Sequence, residues 1–99
     1  MIHNIVHYKI NIESLELVLA AIPTFVAAIH ANEPETFYEA YQHYDEPARF
    51  VHTMSFPNAD AEKTHQAAEY TNAFVAALYP NCIEMPAFTG LNLLATTGR

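Results

Sequence analysis

The spacing of apolar residues alternates twice between a period of two and a helical period, and this order constrains the fold more than any other feature. Residues 2–10, IHNIVHYKI, predict a strand because one side of it carries Ile2, Val6, Tyr8 and Ile10. From Ser14 the spacing becomes helical, with an apolar stripe over residues 15–29. Pro23 lies inside this stripe and predicts a kink in the helix rather than its end. The ANEPET segment then breaks the helix.

The second half of the chain repeats the alternation. Residues 36–44 (TFYEAYQHY) and 49–56 (RFVHTMSF) are rich in aromatic and β-branched residues and predict a hairpin of two strands. Residues 60–79 are helical in propensity, and Asp60 is placed to cap this helix. Residues 87–97, AFTGLNLLATT, predict a fourth strand.

The 99 residues therefore form one domain with the order β-α-β-β-α-β. Right-handed crossovers place both helices on one face of an antiparallel sheet, which is the ferredoxin-like α+β arrangement. The other face is bare but carries large side chains, because Phe37, Tyr41 and Val51 cannot all point toward the helices together with Tyr38 and Phe50. An exposed apolar sheet face predicts a homodimer in which two such faces pack together.

Composition narrows the function classes. The chain is 52% hydrophobic and only 15% charged, which also favours a partner subunit. Its net charge is −7 with four Lys and Arg residues, which argues against nucleic-acid binding and electrostatic membrane binding. We expect no membrane span and no signal peptide, and hence a cytoplasmic protein. Cys82 is the only cysteine, so no intrachain disulfide can form, and two glycines make no phosphate-binding loop.

Residues 59–70, ADAEKTHQAAEY, leave two local geometries open. In one straight helix, Tyr70 and Phe74 share a face while His65 lies nearly opposite, in solvent. If the helix instead breaks near residues 67–69, His65 turns inward and Tyr70 begins a second helix over the same space. Only the broken helix places His65 in a pocket.

The stretch FVHTMSFPNADAEKTHQAAEY, with EPETFYEAY upstream, resembles the antibiotic biosynthesis monooxygenase family, and the resemblance spans nearly the whole chain. The family pattern has a strand that ends in an aromatic residue, an acidic helix start, a histidine and then an aromatic residue. These places are filled by Phe56, Asp60, His65 and Tyr70, and further matches are Tyr38, Arg49 and Phe50. The resemblance implies a dimeric α/β-barrel of ferredoxin-like subunits. It also implies a break between the two helical pieces, which favours the pocket.

The chain departs from the family pattern at two positions. Glu35 stands where the family often has glycine, and Met54 stands where it often has glutamate, eleven residues before the helical histidine. The family also includes haem-degrading members built around a tryptophan, and this chain has no tryptophan. The resemblance therefore favours the branch that works without haem.

Some members of the family oxidise aromatic quinols with molecular oxygen and no cofactor, so the resemblance implies a cofactor-independent monooxygenase that acts on a small aromatic molecule and O2. Such a site needs a group that titrates near neutrality, donors for a phenolate and a dry aromatic cavity. His65 is the candidate base, Tyr70 and Tyr38 are candidate donors, and His52 is a candidate for either role. The residues expected to contact the substrate are Tyr38, Phe50, Met54 and Phe56. The spacing of the six histidines predicts no metal site.

Other interpretations remain open. A proton-transfer isomerase acting on a small carbonyl compound would use the same His65 without oxygen. A non-catalytic protein that binds small ligands is favoured by Met54, because that position has no carboxylate. His65 can also be a structural histidine, and the two tyrosines ordinary core residues.

Overall fold

Four antiparallel strands and three helices make up the computed structural model, which describes residues 1–98. The sheet has the order β2-β3-β1-β4. The elements are β1 (Ile2–Ile10), α1 (Leu15–Asn32), β2 (Phe37–Gln42), β3 (Arg49–Phe56), α2 (Ala59–Ala67), α3 (Glu69–Leu78) and β4 (Cys82–Leu91), with 3-10 turns at Ile12–Ser14 and Tyr79–Asn81. This order confirms the ferredoxin-like α+β arrangement.

The fourth strand is the element that was predicted wrongly. It begins at Cys82 and ends at Leu91, so residues 92–97 are not a strand. Its pairing with β1 shifts register around Lys9, and such irregularities break the alternation by which a strand is recognised. Pro86 also lies in this segment, where it is tolerated because β4 is an edge strand. The ladder stops at Leu91, opposite His3, because β1 itself begins at Ile2.

The N-cap of α2 is Asn58, two residues before the predicted Asp60. The side chain of Asn58, not of Asp60, accepts a hydrogen bond from the backbone N–H of Ala61, at 2.9 Å. Asp60 lies in the first turn, where its negative charge stabilises the positive end of the helix dipole.

Helix α1 continues through Pro23 and ends at Asn32, two residues before Pro34. A residue before proline is disfavoured in the α conformation, and Glu33 accordingly has φ −131° and ψ 73°. Its N–H still donates to the Ile29 carbonyl, at 2.7 Å. Leaving the helix at this point turns the Glu33 side chain into the protein, where it is only 9% exposed.

The second helical segment is broken at Ala68, whose φ and ψ of −65° and 146° are extended. His65 and Phe74 are nine residues apart, so at 100° per residue they would lie on opposite sides of one straight helix. The break lets both face the sheet, with exposures of 5% and 9%. The segment has no glycine or proline at the break, so the burial of these two rings accounts for it. The predicted break near residues 67–69 is confirmed.

The core lies between the sheet and α1 and α3. It is built from Val18, Phe25 and Ile29 of α1, Phe74 and Leu78 of α3, and the inward side chains Tyr8, Ile10 and Phe50. A smaller apolar cluster of Val6, Met54 and Phe56 lies beside α2. The opposite face of the sheet carries large exposed side chains, as predicted: Phe37 is 58% and Tyr41 50% exposed.

The segment Ile12–Asn32 has a mean hydropathy of 1.8 and is long and apolar enough to cross a membrane. No segment was expected to qualify as a membrane span, whereas this one does qualify by length and composition alone. Within the fold, α1 packs its Val18, Phe25 and Ile29 side chains into the core, which accounts for part of its apolar character.

Candidate functional site

A cavity of about 270 Å³ lies between the inner face of the sheet and helices α2 and α3. Its walls are mostly apolar, with Val6, Phe25, Met54, Phe56, Phe74 and Leu78 among them. The volume is close to the lower end of the usual range for small-molecule sites, about 300–1,000 Å³, and suits a ligand of one or two rings. Two groups of polar side chains reach this cavity, one around each of two buried histidines.

The first group is centred on His65, whose Nδ1 lies 2.9 Å from Oε2 of Glu33. Both side chains are buried. An ionised carboxylate only accepts hydrogen bonds, so this contact places the ring proton on Nδ1. The lone pair then lies on Nε2. Because His65 lines the cavity, Nε2 is the nitrogen available to take a proton from a molecule bound there.

Tyr70 is hydrogen-bonded to the same Glu33 carboxylate. Its hydroxyl donates a short hydrogen bond to Oε2 of Glu33. Burial, followed by this hydrogen bond, raises the pKa of Tyr70 to about 12, so the tyrosine remains a donor. The other oxygen, Oε1 of Glu33, is buried without a hydrogen-bond partner among residues 1–98. Glu33 is thus fixed by the two side chains that share one of its oxygens.

The second group is centred on His52, which is 1% exposed. Its Nε2 lies 2.8 Å from the Tyr8 hydroxyl and its Nδ1 lies 2.7 Å from the Tyr38 hydroxyl. Burial lowers the pKa of His52 to about 4, so its ring is neutral near pH 7. Burial also raises the pKa of both tyrosines, which therefore keep their protons. With both nitrogens engaged, His52 has no free lone pair to serve as a base.

The depressed pKa of His52 predicts a loss of stability in acid. The unfolded chain takes up this proton as the pH falls through about 6.5, whereas the folded chain resists until about 4, so stability is lost between these values. At about 1.4 kcal/mol per pKa unit, the loss is about 3 kcal/mol. Urea unfolding near pH 7 and near pH 4 checks this. His52→Gln should remove that part of the pH dependence, and the exposed His30→Gln should keep it. Equal pH dependence in all three proteins would contradict the prediction.

Phe25 joins the two groups. Its ring stacks on Phe74 with centroids 4.4 Å apart and packs against Tyr38 at 5.4 Å and His65 at 5.8 Å. The rings of Tyr38 and His65 are themselves 5.8 Å apart. The Tyr38 end of the second group therefore lies beside the candidate base.

The structure brings five of the seven predicted site residues to the cavity wall: Tyr38, His52, Met54, Phe56 and His65. Tyr70 and Phe50 are not among the lining residues. The Tyr70 hydroxyl is directed at Glu33 instead of the cavity. Phe50 is buried in the core, stacked on Tyr8 with ring centroids 5.4 Å apart. The catalytic and binding roles assigned to these residues stay predictions.

Sequence reasoning missed Glu33 and Tyr8. Glu33 had been treated as part of a helix-breaking segment, although its position before Pro34 is the signal that it must leave the helix. Tyr8 could have been found from strand pairing. It lies opposite Phe50 and so is a diagonal neighbour of His52 on the same face. Residues 1–98 contain no group of three or more side chains that could hold a metal ion.

Comparison with solved structures relates this fold to a set of proteins. A protein named antibiotic biosynthesis monooxygenase superposes with a TM-score of 0.87 at 20% identity, over 96% of this chain and all of the other. One from Caulobacter crescentus, provisionally given the same name, has a TM-score of 0.86 at 21% identity, over 95% and 90% of the two chains. A third, also provisionally so named, is from Bacteroides thetaiotaomicron, with a TM-score of 0.90 at 15% identity, over 99% and 93%.

At these identities the likeness establishes the fold, which this chain shares with proteins named antibiotic biosynthesis monooxygenases. No protein-family model matches the sequence, and no curated protein matches it.

Proposed function

We propose that this protein is a member of the antibiotic biosynthesis monooxygenase family and oxidises a small aromatic quinol-type substrate with O2, without a cofactor. The observation that carries the proposal is the Glu33-bound His65 on the wall of an apolar cavity. The shared fold supports the class of protein, and the size of the cavity supports a substrate of one or two rings.

The proposed chemistry begins with proton removal. His65 takes a proton through Nε2 from the acidic position of the substrate, and Glu33 stabilises the imidazolium that forms. The electron-rich anion transfers an electron to O2, and the two radicals combine to a peroxide anion, which takes back the proton held by His65. The hydroperoxide then loses water together with the hydrogen left on the same carbon, and a carbonyl remains. One oxygen atom enters the product and the other leaves as water, so the substrate loses two hydrogens and gains one oxygen. The apolar walls exclude solvent water from these steps.

Oxygen uptake tests this function. The protein, treated with a chelator, is mixed with a panel of dihydroxynaphthalenes and anthrones in an oxygen electrode. We expect one O2 to be consumed per substrate and one atom of oxygen-18 from labelled O2 to appear in the product. Exchange of substrate protons with solvent without oxygen uptake would indicate an isomerase. Binding without either reaction would indicate a non-catalytic protein, and both outcomes would contradict the proposal.

Glu33→Gln should lower kcat about 100-fold and leave KM almost unchanged. Glutamine retains an acceptor oxygen, but it cannot supply the negative charge that stabilises the imidazolium. Because Glu33 does not line the cavity, substrate binding should not depend on it. Steady-state kinetics measure the effect, with the exposed Glu35→Gln as the matched control. A kcat for Glu33→Gln equal to that of the control would contradict the role.

A proton-transfer isomerase is the second candidate, and the Tyr8–His52–Tyr38 group favours it. These hydroxyls adjoin the same cavity as His65, so a carbonyl compound would meet a base and a hydrogen-bond donor together. The oxygen-uptake and proton-exchange measurements separate the two candidates.

We also propose that two copies of the chain form a dimer through the bare sheet face. Phe37 and Tyr41 lie on this face and are at least half exposed, and Val51 and Ile5 lie between them and β4. Light scattering should give twice the mass of 11.1 kDa. Val51→Asp should yield a monomer, whereas Ala27→Asp on the exposed side of α1 should not. A monomeric protein at micromolar concentration would contradict this.

A further inference from the structure

The Tyr8–His52–Tyr38 group has more protons than its own hydrogen bonds use. A neutral imidazole has one N–H and one lone pair, and each tyrosine contributes one O–H. The three groups therefore hold three protons, whereas the two hydrogen bonds at 2.8 Å and 2.7 Å need only two. One hydroxyl proton is left over.

The spare proton can be at either end of the group. If Tyr8 donates to Nε2, then Nδ1–H donates to the Tyr38 oxygen, and the Tyr38 proton is free. If Tyr38 donates to Nδ1, then Nε2–H donates to the Tyr8 oxygen, and the Tyr8 proton is free. His52 is opposite Val6 and Ala40 in its neighbouring strands, which leave space for the two larger diagonal neighbours.

Both tyrosines line the cavity, and neither hydroxyl has another hydrogen bond to residues 1–98. A buried donor without a partner is costly, and the cavity walls near it are mostly hydrocarbon. A ligand with an acceptor oxygen would satisfy this donor. The surroundings of the two hydroxyls therefore point to an oxygen-bearing ligand.

We propose that Tyr8, His52 and Tyr38 form a two-ended donor site for the oxygen of a phenol or phenolate, in which His52 decides which tyrosine presents its proton. His52 is a positioning residue, since it acts through the tyrosines. The site suits an aromatic ring with two oxygen substituents, one of which lies at the Tyr38 end beside His65. As negative charge moves from one substrate oxygen to the other, the donor can move with it. This inference rests on the proposed function for its aromatic substrate, but binding at the donor site does not depend on oxygen chemistry.

Binding of 4-nitrophenol tests the site without turnover. Calorimetry above the pKa of the free probe gives the Kd of its phenolate, and 4-nitroanisole, whose oxygen is uncharged, is the control ligand. A hydrogen bond to a charged oxygen predicts about 10- to 100-fold tighter binding of the phenolate than of the anisole in the unmodified protein. Equal affinities for the two ligands would overturn the proposal, even if no variant folds.

Three variants test the two-ended character. Tyr8→Phe and Tyr38→Phe each leave one tyrosine that can present a proton, so each should weaken phenolate binding only a few-fold. The double variant should lose the full 10- to 100-fold, with 4-nitroanisole affinity unchanged in all proteins. If one single variant loses as much as the double variant, the donor is fixed at one end and the proposal is wrong. Parallel losses for both ligands would show a packing effect and would also overturn it.

Failure of this proposal is distinguishable from failure of the proposed function. Oxygen uptake without preference for the phenolate would retain the monooxygenase and remove the donor site. Preference for the phenolate without oxygen uptake would retain the donor site and remove the monooxygenase.

Discussion

Replacing His65 by alanine should lower kcat about 10²- to 10⁴-fold, the usual contribution of a positioned base. The structure directs one nitrogen of this ring to Glu33 and leaves the other as the group that can accept a proton at the cavity wall. Oxygen-uptake rates measure the effect. Because alanine leaves a space where the ring was, added imidazole should restore part of the activity of His65→Ala.

Two further variants make this result interpretable. His65→Gln can keep a hydrogen bond to Glu33 but has no basic nitrogen, so it should be as inactive as His65→Ala. His30→Ala removes an exposed histidine of α1 and should be fully active. Activity in His65→Gln close to that of His30→Ala would show that His65 is structural.

Phe25→Ala should destabilise the protein by about 3–5 kcal/mol, the usual cost of removing a buried phenylalanine ring. Its ring is 4% exposed and contacts Phe74, Tyr38 and His65 at once. Total stabilities of domains are about 5–15 kcal/mol, so the loss is a large part of the whole. Urea unfolding monitored by circular dichroism measures it.

The matched control for Phe25→Ala is Tyr44→Ala, which removes a fully exposed aromatic ring. The control should change the free energy of unfolding by less than about 0.5 kcal/mol. Similar losses in both variants would mean that the Phe25 stack does not hold α1 and α3 together.

Periodicity predicted most of the fold because most elements have one face in the core. The first and third strands were placed at residues 2–10 and 49–56, as observed. Every second residue of β3 is buried, and so are Val6, Tyr8 and Ile10 of β1, so both strands carry the period of two in their apolar residues. The fourth strand was misplaced because a register irregularity interrupts its alternation and the leucines after it imitate a strand. The periodicity of apolar residues reflects which side chains are buried, so it does not locate a strand whose pairing is irregular.

Sequence periodicity predicted the candidate site only where the site residues lie on a regularly alternating strand. His52 and Met54 point inward because Phe50 and Phe56 do, and the chain order placed them there. Glu33 was missed because its position depends on the conformation that Pro34 imposes on one residue and on contacts to residues more than thirty positions away. Although position 54 is a methionine, a carboxylate does lie against His65, because Glu33 reaches it from the end of α1.

The protonation of His65 is the most direct test of the account, because the proposed chemistry depends on which ring nitrogen is free. Two-dimensional NMR that correlates ring nitrogens and carbons in labelled protein near pH 8 identifies the tautomer. The account predicts a proton on Nδ1 and a lone pair on Nε2 of His65, with this preference lost in Glu33→Gln. A proton on Nε2 in the unmodified protein would contradict it.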